Sequence, residues 1–322
     1  MKFQYSTEVD PSAYKTHGLD GGIRLRVHAD PDHKERAGAL RAQDDWNRSV
    51  RPVANYKGGL GGPFSFIRAC VPECLPERLE IVSYANEFAF LYDDKMEELI
   101  DARTEPPAQD ADTVVELFSN GGASRLHMQA KKLQAQVITE MAAIDPERAS
   151  TTEKAWTRFL QLAAHSRSRP LHTLKEYLPC RIIDAGELIW FGTLTFGMAL
   201  SIRDEELELC MKLARPGYAA ISLTNDLYSW NKEREESRRA GLDYVYNAIW
   251  VIMHEQSVGE EEAKRVCAEQ IRYYIEQYCR VVEQTKRCGW LSDDLKTYLE
   301  AVMASHIGNL VWSIYCPRYH VI

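Results

Sequence analysis

Between residues 77 and 100, apolar side chains recur at helical spacing. Leu79, Val82, Ala85, Ala89 and Met96 form one stripe, and Phe88, Phe90 and Tyr92 widen it. The same period predicts helices over about 124–144, 150–166, 171–200, 204–231, 241–255, 259–287 and 292–314. Short interruptions at Asp145-Pro146, Arg169-Pro170, Arg215-Pro216-Gly217, Gly241 and Gly289 punctuate them. No segment alternates apolar and polar residues between hairpin turns, as paired strands would. With no internal repeat and no shift in composition, the pattern predicts one all-α domain over 1–322, a helical bundle of ten or more helices.

The first sixty residues read differently. They are polar and irregular, with a turn at His28–His33 and a short helix over 35–47. The run Gly58-Gly59-Leu60-Gly61-Gly62-Pro63 lacks the Lys-Ser/Thr ending of a phosphate-binding loop, so it reads as a turn entering a helix. Residues 101–113 are acidic and proline-bearing and read as a surface loop.

Composition narrows the class. A chain of 322 residues that is 45% hydrophobic can bury a large core and is too apolar to be disordered. A net charge of −8 without a basic stripe argues against a nucleic-acid partner. No run of about 18 uncharged apolar residues predicts a membrane span. The start of the chain lacks a charged segment followed by an apolar core, and none of the eight cysteines forms a CxxC pair or a zinc-spaced cluster with histidine. The expectation is a cytoplasmic protein with reduced thiols.

Two helices carry candidate chemistry. In Asp93-Asp94-Lys95-Met96-Glu97-Glu98, Asp93 and Glu97 share a face one turn apart, an arrangement suited to hard cations such as Mg²⁺. An acidic, solvated helix end is the plainer reading of that cluster taken alone. In the second segment Asn225, Ser229 and Glu233 follow at intervals of four, drifting only ~80° over two turns. An amide oxygen, a hydroxyl and a carboxylate then stack along one face and can hold one divalent ion, with Lys232 beside them to reach a phosphate. Leu223, Leu227 and Trp230 mark this helix as partly buried, where polar groups need partners.

Together the two segments resemble the DDxx(D/E) and (N,D)Dxx(S,T)xxxE motifs of class I terpene cyclases, here about 130 residues apart. Cys316-Pro317-Arg318-Tyr319 is similar to that family's diphosphate-binding Arg-Tyr pair. Arg181-Ile182-Ile183-Asp184-Ala185-Gly186 is similar to its diphosphate-sensing Arg, linker Asp and helix-break effector, the last falling on Ala185 or Gly186. Phe64-Ser65-Phe66, Val71-Pro72-Glu73-Cys74, Ser83-Tyr84-Ala85-Asn86-Glu87-Phe88 and Asn247-Ala248-Ile249-Trp250 extend the resemblance along nearly the whole chain. They look like the cyclase domain of fungal chimeric di- and sesterterpene synthases. Glu97 stands where close relatives often carry Asp.

The resemblance implies the class I terpenoid synthase fold, with antiparallel helices around a central cavity. It implies three Mg²⁺ ions, replaceable by Mn²⁺, and a prenyl diphosphate substrate, geranylgeranyl diphosphate first and the C25 geranylfarnesyl diphosphate next, with C30 open. Asp93 would bridge two ions and Asn225, Ser229 and Glu233 would hold the third. Arg181, Lys232, Arg318 and Tyr319 would bind diphosphate, with Asp94, Glu97, Asp184 and Gly186 completing the catalytic set. Phe66, Phe88, Tyr92, Trp190, Phe191, Trp230 and Trp312 are the aromatic candidates for a carbocation pocket. Because the chain stops at Ile322, it reads as an excised cyclase domain or a stand-alone relative, supplied by a prenyltransferase domain or a separate prenyltransferase. A homo-oligomer stays open. The competing readings are a trans-prenyltransferase, disfavoured because no second DDxxD motif occurs, and a non-catalytic helical binding protein.

Overall fold

The computed structural model describes residues 1–53, 56–101, 125–166 and 170–320, and within helices it leaves out the side chains of 95–101, 125–127 and 164–166. The Glu97 side chain and the loop expected after residue 101 therefore lie outside the described residues. What is described is helical apart from one small hairpin. The helices are α1 (Lys34–Ser49), α2 (Phe66–Cys70), α3 (Leu79–Asp101), α4 (Arg125–Ile144), α5 (Pro146–Ser166) and α6 (Leu174–Asp184). They continue as α7 (Glu187–Gly197), α8 (Asp204–Arg239), α9 (Ala248–Gln256), α10 (Glu260–Lys286) and α11 (Asp293–Tyr315). Helix α3 lies on α1, α5 on α7, and α8 between α10 and α11.

The hairpin pairs β1 (Ser6–Glu8) with β2 (Arg26–His28) antiparallel, Thr7 opposite Val27. Three residues per strand are too few for alternation to show in sequence. The turn expected at 28–33 becomes the cap of α1, where the Asp30 carboxylate accepts from the backbone N–H of Lys34 (2.7 Å) and Glu35 (3.1 Å).

Two boundaries differ from the periodic pattern. The stretch 171–200 divides into α6 and α7 at Ala185-Gly186, where Gly186 adopts φ 85°, ψ 39°. That left-handed conformation suits glycine and ends the helix. Conversely, the breaker at 215–217 does not break: α8 runs through Pro216. A proline within a helix forfeits one backbone hydrogen bond. Packing along α10 and α11 offsets that loss, and Gly217 is what permits the close approach, since a Cβ there would lie 2.7 Å from the Tyr278 ring. Helix α9 begins at Ala248 rather than 241 because the Asn247 side chain caps it, accepting from Ile249 N at 2.8 Å.

One buried histidine gives the fold a pH signature. His306, on α11, is fully buried, donates from Nε2 to the Leu19 carbonyl at 2.8 Å, and leaves Nδ1 without a partner among the described residues. Burial lowers its pKa from 6.5 to about 4. Between those values the unfolded chain binds a proton that the folded chain refuses, so stability is lost as pH falls through that window, by about 3 kcal/mol in all. Glu35 acts oppositely: burial raises it from 4.5 to about 6, against the hydrogen bonds it accepts from Ser65, Arg68 and Ile67. It therefore removes about 2 kcal/mol as pH rises through its own window. Because the His306 effect is larger, His306→Gln should flatten the loss of melting temperature between pH 6.5 and 4. An unchanged slope in that variant refutes the assignment.

Candidate active site

Helix α8 places Asn225, Ser229 and Glu233 on one face, as the spacing predicts. Asn225 Oδ1 accepts from Arg181 (2.7 Å), and its Nδ2 donates to the Tyr319 hydroxyl (2.6 Å). Glu233 accepts from Asn247 Nδ2 at 2.9 Å. Burial raises the Glu233 carboxyl above its ordinary range, with Arg181 acting in the opposite direction. Between them Ser229 Oγ is buried. It lies toward the Glu233 carboxyl but has no hydrogen-bond partner of full geometry among the described residues. An amide oxygen, a carboxylate and, between them, a buried hydroxyl with no well-formed hydrogen bond among the described residues make a donor set that fits a hard divalent cation.

Asp226, beside Asn225 but 0% exposed, turns the other way and organises the floor of this face. It accepts from Arg181 Nε (2.7 Å), Tyr177 OH (2.7 Å) and the backbone N–H of Ala248 (3.0 Å). Arg181 also pairs with Asp184 at 2.8 Å, just before the Gly186 break. Burial opposes the charge of Arg181, but Asp226 first, then Tyr177 and Asp184, outweigh it and keep the guanidinium protonated. Sequence reasoning assigned no role to Asp226, Tyr177 or Asn247. The second position of the Asn-Asp pair was the available signal for the first of these.

Across from α8, α3 presents Asp93 and Asp94. Arg318 grips Asp94 with both nitrogens, at 2.8 and 2.6 Å, and stands 3.7 Å from Asp93. Lys232 reaches Asp94 from α8 at 3.3 Å. Asp93 is 53% exposed, while Asp94 is 20% exposed. Asp94 is thus committed to cations and Asp93 is the more accessible carboxylate. The pole of the site holds three basic side chains, Arg181, Lys232 and Arg318, between two carboxylate-bearing helices.

Beneath Arg318 lies an aromatic cluster. Its guanidinium carbon sits 4.9 Å over the Phe90 ring. Phe66 meets Trp312 (4.7 Å), Phe90 (5.1 Å) and Trp190 (5.7 Å), and Trp312 meets Tyr319 (5.4 Å). The Trp190 indole N–H donates to Ser305 Oγ at 2.9 Å. Phe66, Phe90 and Trp190 are only half-buried, so part of each ring is accessible.

Four of the aromatic candidates have other neighbours. Phe88 is buried against α1, edge-on to Trp46 at 5.8 Å, and half-buried Tyr92 stacks on Phe88 at 6.1 Å. Trp230 lies under Arg234 toward α10, and Phe191 packs edge-on to Tyr298 at 5.3 Å. The cause is helical phase: Phe90, not Phe88, lies four residues before Asp94 and shares its face. We expect Phe90→Leu to redistribute products while Phe88→Leu mainly costs stability, about 1–3 kcal/mol. Product profiles by mass spectrometry beside thermal unfolding check this. A redistribution by Phe88→Leu alone reverses the assignment.

Comparison with known proteins shows the family and the fold. The family described as "Terpene synthase family 2, C-terminal metal binding" matches residues 84–277. Fusicoccadiene synthase from Phomopsis amygdali is 43% identical over 99% of this chain and 46% of its own length. A bifunctional sesterterpene synthase from Aspergillus aculeatus is 40% identical over 99% of this chain and 45% of its own. The chain spans about half the length of these curated relatives. Among solved structures, aristolochene synthase from Penicillium roqueforti superposes with a TM-score of 0.61 at 17% identity, covering 87% of this chain and 94% of its own. The helical architecture is therefore the class I terpene synthase fold.

Proposed function

The chain belongs to the terpene synthase family, and from that premise we propose that it ionises a linear prenyl diphosphate and cyclises the resulting carbocation, releasing diphosphate. The observation that carries this reading is that Arg318, which shares Asp94 with Lys232, sits over the half-buried Phe90 ring, while Arg181 joins the same site through Asn225 and the Tyr319 hydroxyl.

Arg181, Lys232, Arg318 and the Tyr319 hydroxyl donate to oxygens that gain charge as the allylic C–O bond breaks. Asp226 and Asp184 hold Arg181 in place for that contact, and Asp94 does the same for Arg318 and Lys232. Asn225, Ser229 and Glu233 on one helix and Asp93 on the other would hold Mg²⁺. When bound, Mg²⁺ supplies Lewis-acid neutralisation of the leaving group. Phe66, Phe90, Trp190 and Trp312 exclude water and offer π faces, each worth about 1–2 kcal/mol to a desolvated cation. Gly186, at the α6–α7 break, carries the part that the sequence left between it and Ala185.

We take geranylgeranyl diphosphate as the substrate, supplied by a prenyltransferase. Geranylfarnesyl diphosphate is the second reading, favoured by the likeness to a sesterterpene synthase. Incubation with C10–C30 prenyl diphosphates in Mg²⁺, read by mass spectrometry and by diphosphate release, tests both. Cyclic C20 hydrocarbon is expected and should vanish in excess chelator. Activity in chelator, or coupling of allylic and homoallylic substrates into a longer chain, overturns the reading.

A further inference from the structure

The glycine-rich run at 58–62 finds a use that a turn entering a helix does not explain. Its backbone is wedged between α3 and the end of α11. On one side the buried Glu87 carboxylate accepts from Gly59 N at 2.9 Å and from Gln43 Nε2 at 2.6 Å. On the other, the Gly59 carbonyl accepts from the Trp312 indole N–H at 3.1 Å, and the Lys57 carbonyl accepts from Arg318 at 3.1 Å. The glycines are what allow this fit. A Cβ on Gly58 would overlap the Glu87 carboxylate, one on Gly61 would stand 3.0 Å from the Pro317 ring, and one on Gly62 would stand 2.8 Å from the Tyr315 carbonyl oxygen.

We propose that the loop 57–62, anchored by Glu87, is a positioning element that fixes the Arg318 guanidinium and the Trp312 indole relative to each other. Resting on the function proposed above, it ties the group that receives diphosphate to the buried ring on which the half-buried Phe66 and Phe90 pack. Neither Glu87 nor the loop touches substrate; they act through these two side chains. One backbone unit, Gly59, is held by α3 through its N–H and holds Trp312 through its C=O. A shift of the loop therefore moves both ends of the site together.

The test uses two pairs of variants. Gly62→Ala and Gly241→Ala carry the same left-handed strain, φ +71° and φ +70°, but only the first meets a neighbour; nothing lies within 4 Å of the second. Binding of inorganic diphosphate with Mg²⁺, measured by calorimetry, should weaken about tenfold in Gly62→Ala, where the contact adds to the strain, and stay within about twofold in Gly241→Ala, which carries the strain alone. Products should shift only in the first. Equal affinity in both variants, or equal loss, overturns the proposal. The second pair reads the loop without any ligand. Glu87→Ala should raise hydrogen exchange over 57–66 and over 312–320 together, and Glu87→Gln, which keeps an acceptor for Gly59 N, should restore both. Loosening of 57–66 alone would show that the loop does not hold the C-terminal segment. If the unmodified protein binds no diphosphate, the proposed function falls, and the coupling is still decided by the exchange pattern.

Discussion

Asp226→Ala should lower the melting temperature by roughly 5–8 °C and abolish turnover, although its carboxylate is spent on Arg181, Tyr177 and Ala248. The carboxylate is 0% exposed and satisfies three donors: the Arg181 guanidinium, the Tyr177 hydroxyl and the Ala248 amide. Removing it leaves a buried cation short of its main countercharge and two donors unpaired, a loss of about 3–5 kcal/mol. In a chain of this size each kcal/mol corresponds to about 1.5 °C, from an unfolding entropy of about 2 cal/mol/K per residue. Asp184 and Asn225 still accept from Arg181, which keeps the loss from being larger. A double variant separates stability from function. Arg181→Met with Asp226→Leu replaces the buried pair by apolar groups, which is often close to neutral. It should regain only the part of the loss that comes from the uncompensated cation, since the Tyr177 hydroxyl and the Ala248 amide still lack the carboxylate and Asp184 loses Arg181, and none of the turnover. Thermal unfolding and diphosphate release decide the matter. A single-variant loss below about 1 kcal/mol would mean that the pair is not the anchor described.

The face of α8 was legible in sequence because intervals of four residues recur on any α-helix, whatever surrounds it. The same regularity put Asp93 and Glu97 on one face of α3, whereas Arg318, beyond the end of α11, was singled out only by the resemblance to a terpene cyclase Arg-Tyr pair. Three kinds of feature were not legible. Helical phase relative to the site is one, since an aromatic run such as 88–92 supplies rings to opposite sides of one helix: Phe88 meets Trp46 while Phe90 meets Phe66 and Trp312. The Asp94 register resolves it in favour of Phe90 only once Arg318 is known to grip that residue. Long-range polar contacts also escaped: Asn247 with Glu233, Tyr177 with Asp226 and Glu87 with Gly59 join segments with no local pattern in common. Backbone context decided the rest. Pro216 reads as a breaker, but a helix flanked on two sides continues past it, whereas Gly186 ends a helix that periodicity alone would continue.

Ser229→Ala should be as stable as the parent protein, or slightly more so, when no metal is present, and should lose turnover by about 100-fold or more. The first expectation follows from the buried Oγ, whose burial is offset among the described residues only by an imperfect contact with the Glu233 carboxyl. Such a group carries a desolvation penalty of about 1–3 kcal/mol that alanine does not. The second follows from its place between Asn225 and Glu233, where the oxygen completes a set of three along one helical face. Weakening even the outer support of a metal ligand reduces affinity by about 10–100-fold, so removing a ligand lies at or beyond that upper end. The two readouts discriminate sharply. Mg²⁺ with inorganic diphosphate should raise the melting temperature of the parent protein, by linkage to the folded state, and barely move that of the variant. A variant that is destabilised without metal would show that Ser229 supports packing instead. A full thermal shift and normal turnover would remove it from the donor set and leave the face with two oxygens, too few to hold the ion as proposed.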